Sequence, residues 1–193
     1  MPDVFQVLQE DHDEVKAMLA QLEIGQTAAE GAAGERLAFR KSLVEQLIIE
    51  ESKHEAAEQQ YFWPALRQLG VVGERIADEA LGQESAGEHV LARLGKESPD
   101  DPRFEELLIE FTADARTHIM FEEAQAWPLL RAAITADEAE ALGARITEAK
   151  KLAPTRPHPH TPPTEGTART VGPMAGVADR LRDVVTGRGK HAS

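Results

Sequence analysis

The chain has 193 residues, of which 41% are hydrophobic, and it carries a formal net charge of −13. It contains no cysteine, which excludes disulfides, thiolate zinc sites, iron–sulfur clusters and cysteine nucleophiles. The acidity argues against binding to nucleic acid, and the lack of a signal peptide or a long apolar run predicts a cytoplasmic protein without a membrane span.

The pattern of apolar residues predicts four long helices followed by a shorter fifth one. The first is expected over residues 2–23, the second over 35–69, the third over 73–97, and the fourth from the proline-containing stop at 98–102 to residue 133. Thr135 and Glu138 form a capping box that begins the fifth helix, which is expected to end near Leu152. Short connections between long helices predict an all-α, up-down-up-down four-helix bundle with antiparallel neighbours.

The last forty residues have a different composition. Residues 153–170 contain five prolines, which predict an extended segment without a core of its own. Apolar residues then recur at helical spacing and predict a short amphipathic helix that ends at Gly187: Met174, Val177, Ala178, Leu181, Val184 and Val185. Docking of this helix on the bundle is the preferred interpretation, and a tail that binds a partner protein is the alternative. The expected domains are therefore a bundle over 1–152 and a linker with tail helix over 153–193.

Polar residues interrupt the apolar stripes of three helices at the middle of the bundle. The stripe of the first helix contains His12, that of the second contains His54 and Glu58, and that of the fourth contains His118 and Glu122. A lone buried carboxylate is unfavourable unless a cation or strong hydrogen bonds compensate it. The pattern therefore predicts a counter-ion inside the bundle.

The second and fourth helices also share one motif. The pattern His-x3-Glu-x4-Trp-Pro-x2-Arg begins at His54 and again at His118. A histidine and a glutamate four residues apart project from the same helix face, so they can present a nitrogen and an oxygen donor to one metal cluster. A single pair of this kind is weak support for a metal site, whereas two in register on core stripes are a strong signal.

The third helix offers His89, which lies at the edge of its apolar stripe. With the five residues above, this gives four imidazoles and two carboxylates, a set that fits two bridged metal ions better than one. Mixed nitrogen and oxygen ligation without thiolate favours two non-haem iron ions, with manganese or zinc as less favoured occupants.

These motifs resemble the hemerythrin-like, or HHE cation-binding, domain, and the resemblance covers about residues 1–150. It implies a four-helix bundle around a di-iron centre whose ligands are His12, His54, Glu58, His89, His118 and Glu122. Within that set, the resemblance makes Glu58 and Glu122 the bridging carboxylates. It assigns His12 and His54 to one iron, and His89 and His118 to the other.

Two positions depart from the pattern of oxygen-carrying hemerythrins. Those proteins have a further histidine four residues before the third-helix ligand, where this chain has Ser85, and their fourth-helix acid lies five rather than four residues after the histidine. The second iron is therefore expected to have an extra open position, which Glu84, Glu88 or Tyr61 is available to fill. This favours redox chemistry at an exchangeable position over reversible carriage of oxygen.

A structural role is the favoured interpretation for several other residues. Trp63 and Trp127 are expected to pack as walls at the end of the site, and Tyr61 is expected to pack rather than act as a ligand. His158 and His160 are expected to be solvated, with a lid or metal-delivery role as the minority interpretation. Glu50 and Glu51 are either supports for the ligand histidines or surface charges.

Three functions follow from this interpretation. The first choice is a redox-active di-iron protein that binds and turns over O2, hydrogen peroxide or nitric oxide. Its catalase-like, peroxidase-like or NO-handling chemistry would belong to the metal, because the sequence has no separate nucleophile–base pair and no glycine-rich phosphate loop. The alternative is non-enzymatic binding of O2 or iron for storage or sensing, with the tail helix reporting the state. A metal-free interaction module comes third.

Overall fold

The computed structural model describes residues 1–159 and 172–186, and His160 lies outside these residues. In this part of the chain the α-helices are α1 (Val4–Ile24), α2 (Glu35–Ala57), α3 (Trp63–Arg67), α4 (Val71–Leu94), α5 (Pro102–Phe121), α6 (Trp127–Ala133), α7 (Ala136–Leu152) and α8 (Gly172–Thr186). The predicted all-α bundle with a fifth helix is confirmed. None of the described helices combines the length and the apolar character that crossing a membrane requires.

The long second and fourth helices are each interrupted, which the sequence did not predict. A π-helical segment, Glu58–Phe62, joins α2 to α3, and a second one, Glu122–Ala126, joins α5 to α6. Each lies just before a Trp-Pro pair, where proline lacks the N–H of a regular helix and crowds the preceding turn. The helix widens there, and each widened turn begins at one of the two glutamates expected to bridge the metal ions.

The helix ends follow from local capping. Asp3 accepts from the backbone N–H of Gln6 and forms a capping box at the start of α1. The predicted box of Thr135 with Glu138 is present at the start of α7. The backbone N–H groups of a first turn have no carbonyl oxygen in a preceding turn to accept their hydrogen bonds, and these caps supply an acceptor. The caps therefore fix where the two helices begin.

Two apolar clusters fill the bundle at different heights. One contains the start of α1, the two tryptophans and the inner face of α7, including Leu8, Trp63 and Ile146. The other contains the end of α1, the first half of α2 and most of α5, including Val15 and Leu47. On α1, His12 lies between Leu8 and Val15, so a polar layer separates the two apolar clusters.

Helix α7 closes one side of the bundle by packing on α1 and α2. The contact depends on Gly143, because a Cβ atom there would lie 2.7 Å from the backbone oxygen of Pro2. This close approach brings the end of α7 to α1, where Lys150 forms an ion pair with Asp11. A helix outside the four long ones therefore contacts residues next to the polar layer.

The tail helix α8 packs against the end of α7, but through polar and small residues. A Cβ at Gly176 would lie 2.1 Å from the backbone oxygen of Leu152, so only glycine allows this approach. Asp183 accepts from the hydroxyl of Thr155 at 2.6 Å. Met174, Val177 and Leu181 remain 75%, 54% and 65% exposed. These three residues of the apolar stripe that predicted the helix therefore do not dock on α7.

His158 is paired rather than solvated, which corrects the expectation for this residue. Its Nε2 lies 3.0 Å from Asp179 Oδ2, and its side chain is 38% exposed. The hydrogen bond to Asp179, together with the charges of Asp179 and Glu88, raises the pKa of His158 against the opposing effects of burial and Arg182. Burial alone would raise the pKa of Asp179, but His158, the Thr155 N–H and Arg156 together lower it.

We expect docking of α8 to depend on pH through this pair. The raised pKa of His158 stabilises docking fully below its ordinary value of 6.5, and this is lost as the pH rises through the raised value. The lowered pKa of Asp179 stabilises docking above its ordinary value of 3.8, and this is lost as the pH falls through the lowered value. Hydrogen exchange of the α8 amides, corrected for intrinsic rates, should therefore be slowest between these limits.

The matched variant for this prediction is His158→Gln, which keeps a hydrogen-bonding side chain but cannot be protonated. It should remove the change in α8 exchange at the alkaline end and leave exchange in the other helices unchanged. An unaltered alkaline limb in His158→Gln would show that another group controls the docking.

Candidate metal centre

Six side chains from α1, α2, α4, α5 and the two π-helical segments converge in the polar layer. Five were expected as ligands from the sequence, and the sixth, Glu84, was one of three residues considered for an open position. Their donor atoms form two groups in which all atoms lie within 4.8 Å of one another: His12, His54 and Glu122 in the first, and Glu58, Glu84, His118 and Glu122 in the second. Because Glu122 belongs to both groups, the structure presents two adjoining positions for cations.

The first group combines two imidazoles with carboxylate oxygen. His12 Nε2 lies 2.9 Å from Glu122 Oε2, and the rings of His12 and His54 lie 5.1 Å apart. His54 Nε2 lies 3.2 Å from Glu58 Oε2, so Glu58 also borders this group. Glu122 is thus shared by the two groups, and Glu58 belongs to the second and borders the first.

The second group is richer in carboxylates. His118 Nε2 lies 3.1 Å from Glu122 Oε1, and the remaining donor atoms come from Glu58 and Glu84. Glu84 is held from both sides, because Trp63 Nε1 donates to one of its oxygens at 2.5 Å and Gln59 Nε2 donates to the other at 2.7 Å. The tryptophan of the first repeat therefore positions a candidate ligand as well as packing in the core.

The donor atoms are buried but lack well-formed hydrogen bonds. This observation shows whether the site suits a metal ion. Glu58 and Glu122 are 0% exposed. The Nε2 atoms of His12 and His118 lie 2.9 Å and 3.1 Å from the oxygens of Glu122, but these contacts are not well-formed hydrogen bonds. Six atoms therefore make no hydrogen bond among residues 1–159 and 172–186: those two Nε2 atoms, and both carboxylate oxygens of Glu58 and of Glu122. Leaving such atoms unpaired is costly. The donor set of nitrogen and carboxylate oxygen therefore fits a bound metal.

Each of the three histidines is oriented by an outer partner at Nδ1. The partners are Glu123 for His12 at 3.0 Å, Asp11 for His54 at 3.3 Å and Gln83 for His118 at 3.0 Å. All three offer an oxygen that accepts, so Nδ1 carries the proton and Nε2 is left as the metal donor. Such contacts fix the ring and raise its basicity as a ligand.

Burial and neighbouring charges shift the pKa values of the residues in the centre. Burial lowers the pKa of His118, but the carboxylate of Glu122 outweighs this and raises it to about 9. Burial and the negative charge of Glu58 raise the pKa of Glu84 to about 8. The protein groups alone therefore retain protons near neutral pH, and a bound cation would replace them.

The expected ligand set is corrected at one position, because the structure does not bring His89 to the centre. His89 is exposed, and its Nδ1 donates to the backbone oxygen of Ser85 at 2.7 Å. Glu84, which is 1% exposed, takes the place on α4. Five residues along an α-helix correspond to a rotation of about 140°, so the two side chains leave α4 on different faces.

The sequence named Glu84 only as one of three residues available for an open position, although a stronger signal for it was present. Ala77, Ala80, Glu84, Gly87 and Leu91 recur at steps of three and four, and all are buried. A charged residue on such a stripe is the same signal that identified His12. A neighbouring apolar stripe, at whose edge His89 lies, gave the competing signal on this helix.

Three other residues beside the centre have defined places. Glu51 is buried, and the charges of His54, His118 and His12 act on it, so it is not a surface charge. The ring of Trp127 stacks on His12 with centroids 4.9 Å apart. Tyr61 is partly buried and packs against the apolar cluster at that end of the bundle.

Comparison with known proteins was consistent with this geometry. A family model described as the hemerythrin HHE cation binding domain matches residues 3–130. The structure is similar to the crystal structure of a hemerythrin HHE cation binding domain-containing protein from Mycobacterium kansasii, with a TM-score of 0.63 and 22% sequence identity over 93% of this chain and 99% of that one. At that identity the likeness shows the fold alone. No protein of curated function matches this chain in sequence.

Proposed function

The chain belongs to the hemerythrin HHE cation-binding domain family, and from this premise we propose that it holds two non-haem iron ions and reacts with O2, hydrogen peroxide or nitric oxide. The observation that carries the proposal is the convergence of six unpaired, buried donor atoms on two adjoining positions that share Glu122. When bound, the iron pair would supply electron transfer to a small oxidant.

The side chains of this centre determine what such a pair could do. Imidazole and carboxylate donors together suit iron or manganese better than calcium or magnesium. Glu84 supplies an anion where a third-helix imidazole was expected, and an anionic ligand stabilises a more highly charged metal ion better than a neutral one does. This favours redox chemistry over reversible binding of oxygen.

The surroundings limit access of water to the centre. An apolar cluster lies on each side of the polar layer, and Trp127 covers one face of His12. Glu51 is a buried carboxyl group outside the two donor groups, and the charges of the three histidines act on it. The protein would thus orient the ligands, exclude bulk solvent and keep one acidic group near the reacting molecule.

The test is metal analysis of protein reconstituted anaerobically with iron(II), followed by absorbance spectra before and after hydrogen peroxide. We expect two iron ions per chain and decomposition of peroxide faster than by the same concentration of free iron. Metal-stripped protein is the control. Failure to retain metal would refute the centre, and a stable oxygen adduct without turnover would favour the storage or sensing alternative.

A further inference from the structure

A row of three carboxyl groups leads from the candidate centre towards the surface between α2 and α4. We call Glu84, Glu55 and Glu88 the acid row. Glu84 belongs to the second donor group and is 1% exposed, Glu55 is 4% exposed, and Glu88 is half-buried. Glu84 and Glu88 lie one turn apart on α4, so they project from the same side of that helix.

Glu55 on α2 fills the space between those two residues. A Cβ at Gly87 would lie 4.0 Å from Glu55 Oε1, so the carboxyl group rests against the backbone of α4 where a side chain is missing. The negative charges of Glu88 and Glu84 both act on Glu55. The three carboxyl groups therefore lie close together, with Glu84 and Glu55 buried and Glu88 partly exposed.

Glu55, the middle member of the acid row, lacks the partners that a structural cluster of acids would need. Glu55 Oε2 is buried and has no hydrogen-bond partner in the described part of the chain. The hydroxyl of Ser52, one turn earlier on α2, is also buried without one. The groups whose charges act on Glu55 are Glu88, Glu84, Glu51 and His54, three of which are acids. Buried carboxylates in such a setting favour a cation.

The outer end of the row adds a nitrogen donor from the tail. His158 follows α7 and is half-buried, and its charge acts on Glu88. Its Nε2 is held by Asp179 of α8 at 3.0 Å. The row therefore begins at the surface with a carboxylate and an imidazole and ends inside at Glu84.

We propose that the acid row is the uptake route by which a divalent cation reaches the centre, passing from Glu88 to Glu55 and then to Glu84. A hydrated cation exchanges water for carboxyl oxygens stepwise and displaces the protons that burial favours on these groups, and the partly exposed carboxylate of Glu88 attracts cations to the mouth of the route. The proposal rests on the proposed function, since the route has a purpose only if the centre binds metal.

The test measures cobalt(II) uptake by the full-length, metal-free protein, with the ligand-field absorbance of bound cobalt followed in a stopped-flow instrument. Glu55→Gln and Glu88→Gln should each slow uptake by about tenfold, the low end of the effect of electrostatic focusing on association rates. The final number of bound ions should equal that of the unmodified protein. Uptake by both variants should also depend less on salt.

The matched control is Glu79→Gln, which removes one negative charge from an exposed position on α4. If both acid-row variants load as fast as this control, the route is refuted. Reduced final loading would also refute it, since the residues would then be permanent ligands. Absence of cobalt from the unmodified protein would instead refute the proposed function. Because Glu88 is only half-buried, its variant keeps the test usable if Glu55→Gln does not fold.

Discussion

Replacing Glu122 with alanine is expected to remove iron from both positions of the centre. Its two carboxylate oxygens lie 2.9 Å from His12 Nε2 and 3.1 Å from His118 Nε2, so a single side chain serves both donor groups. Loss of an outer partner alone lowers metal affinity by about 10- to 100-fold, and loss of a shared ligand should exceed that range. Iron content after dialysis against a weak chelator is the measurement.

Two further variants make this prediction specific. His54→Ala removes one donor of the first group and should also lower iron content strongly, because its Nε2 borders both His12 and Glu58. His158→Ala should leave the final iron content unchanged, since this histidine is bound to Asp179 in the tail. Equal loading in all three variants would overturn the ligand assignment.

The same variants distinguish a metal centre from a metal-free polar core. If Glu122 merely paired with the neighbouring imidazoles, its removal would leave His12 and His118 buried without a counter-charge and destabilise the metal-free protein. In a metal centre, most of the stability that Glu122 provides depends on the bound cation. Thermal unfolding with and without iron should therefore show that the gain on adding metal is lost in Glu122→Ala.

The parts of the centre that were predictable are those that follow helical periodicity. His12, His54 and His118 each replace an apolar residue on a stripe whose spacing is fixed by 3.6 residues per turn. Glu58 and Glu122 could be placed because each follows its histidine by one turn. These five positions required only the assumption that each helix turns its apolar stripe towards the others.

The outer contacts were not predictable, because they depend on how the helices pack. Lys150 pairs with Asp11 across 139 positions of sequence, and only the crossing of α7 over α1 joins them. The partner of His118 is Gln83 on α4, whose rotation the apolar pattern left open. Long-range pairs of this kind have no signal in a single sequence.

Local deviations from regular helix were also beyond the sequence pattern. The Trp-Pro pairs marked where backbone hydrogen bonds are lost, but a kink and a π-helical turn are alternative responses to that loss. The tail gives a similar case. Its apolar spacing predicted the helix, yet the close approach at Gly176 and the pairing of Asp183 with Thr155 determine which face docks.

The exchange of His89 for Glu84 leads to the second large effect that we expect. Glu84→Ala should empty the second position while the first, which contains His12 and His54, still binds metal. Iron content should then fall from two ions to about one per chain, because only the second group loses a donor and the first keeps His12, His54 and Glu122. Glu84→Ala also frees the N–H groups of Trp63 and Gln59, so Glu84→Gln is the milder variant that keeps one acceptor in place.

His89→Ala is the matched control on the same helix, and it should retain both ions because the imidazole is exposed and bound to the backbone of Ser85. The opposite result, with loading lost in His89→Ala and kept in Glu84→Ala, would mean that α4 is rotated by about 140° about its axis. That rotation would also bury His89 and expose Glu84, together with the apolar residues one turn on either side of it. The two variants therefore test the orientation of α4 and the composition of the second position in one experiment.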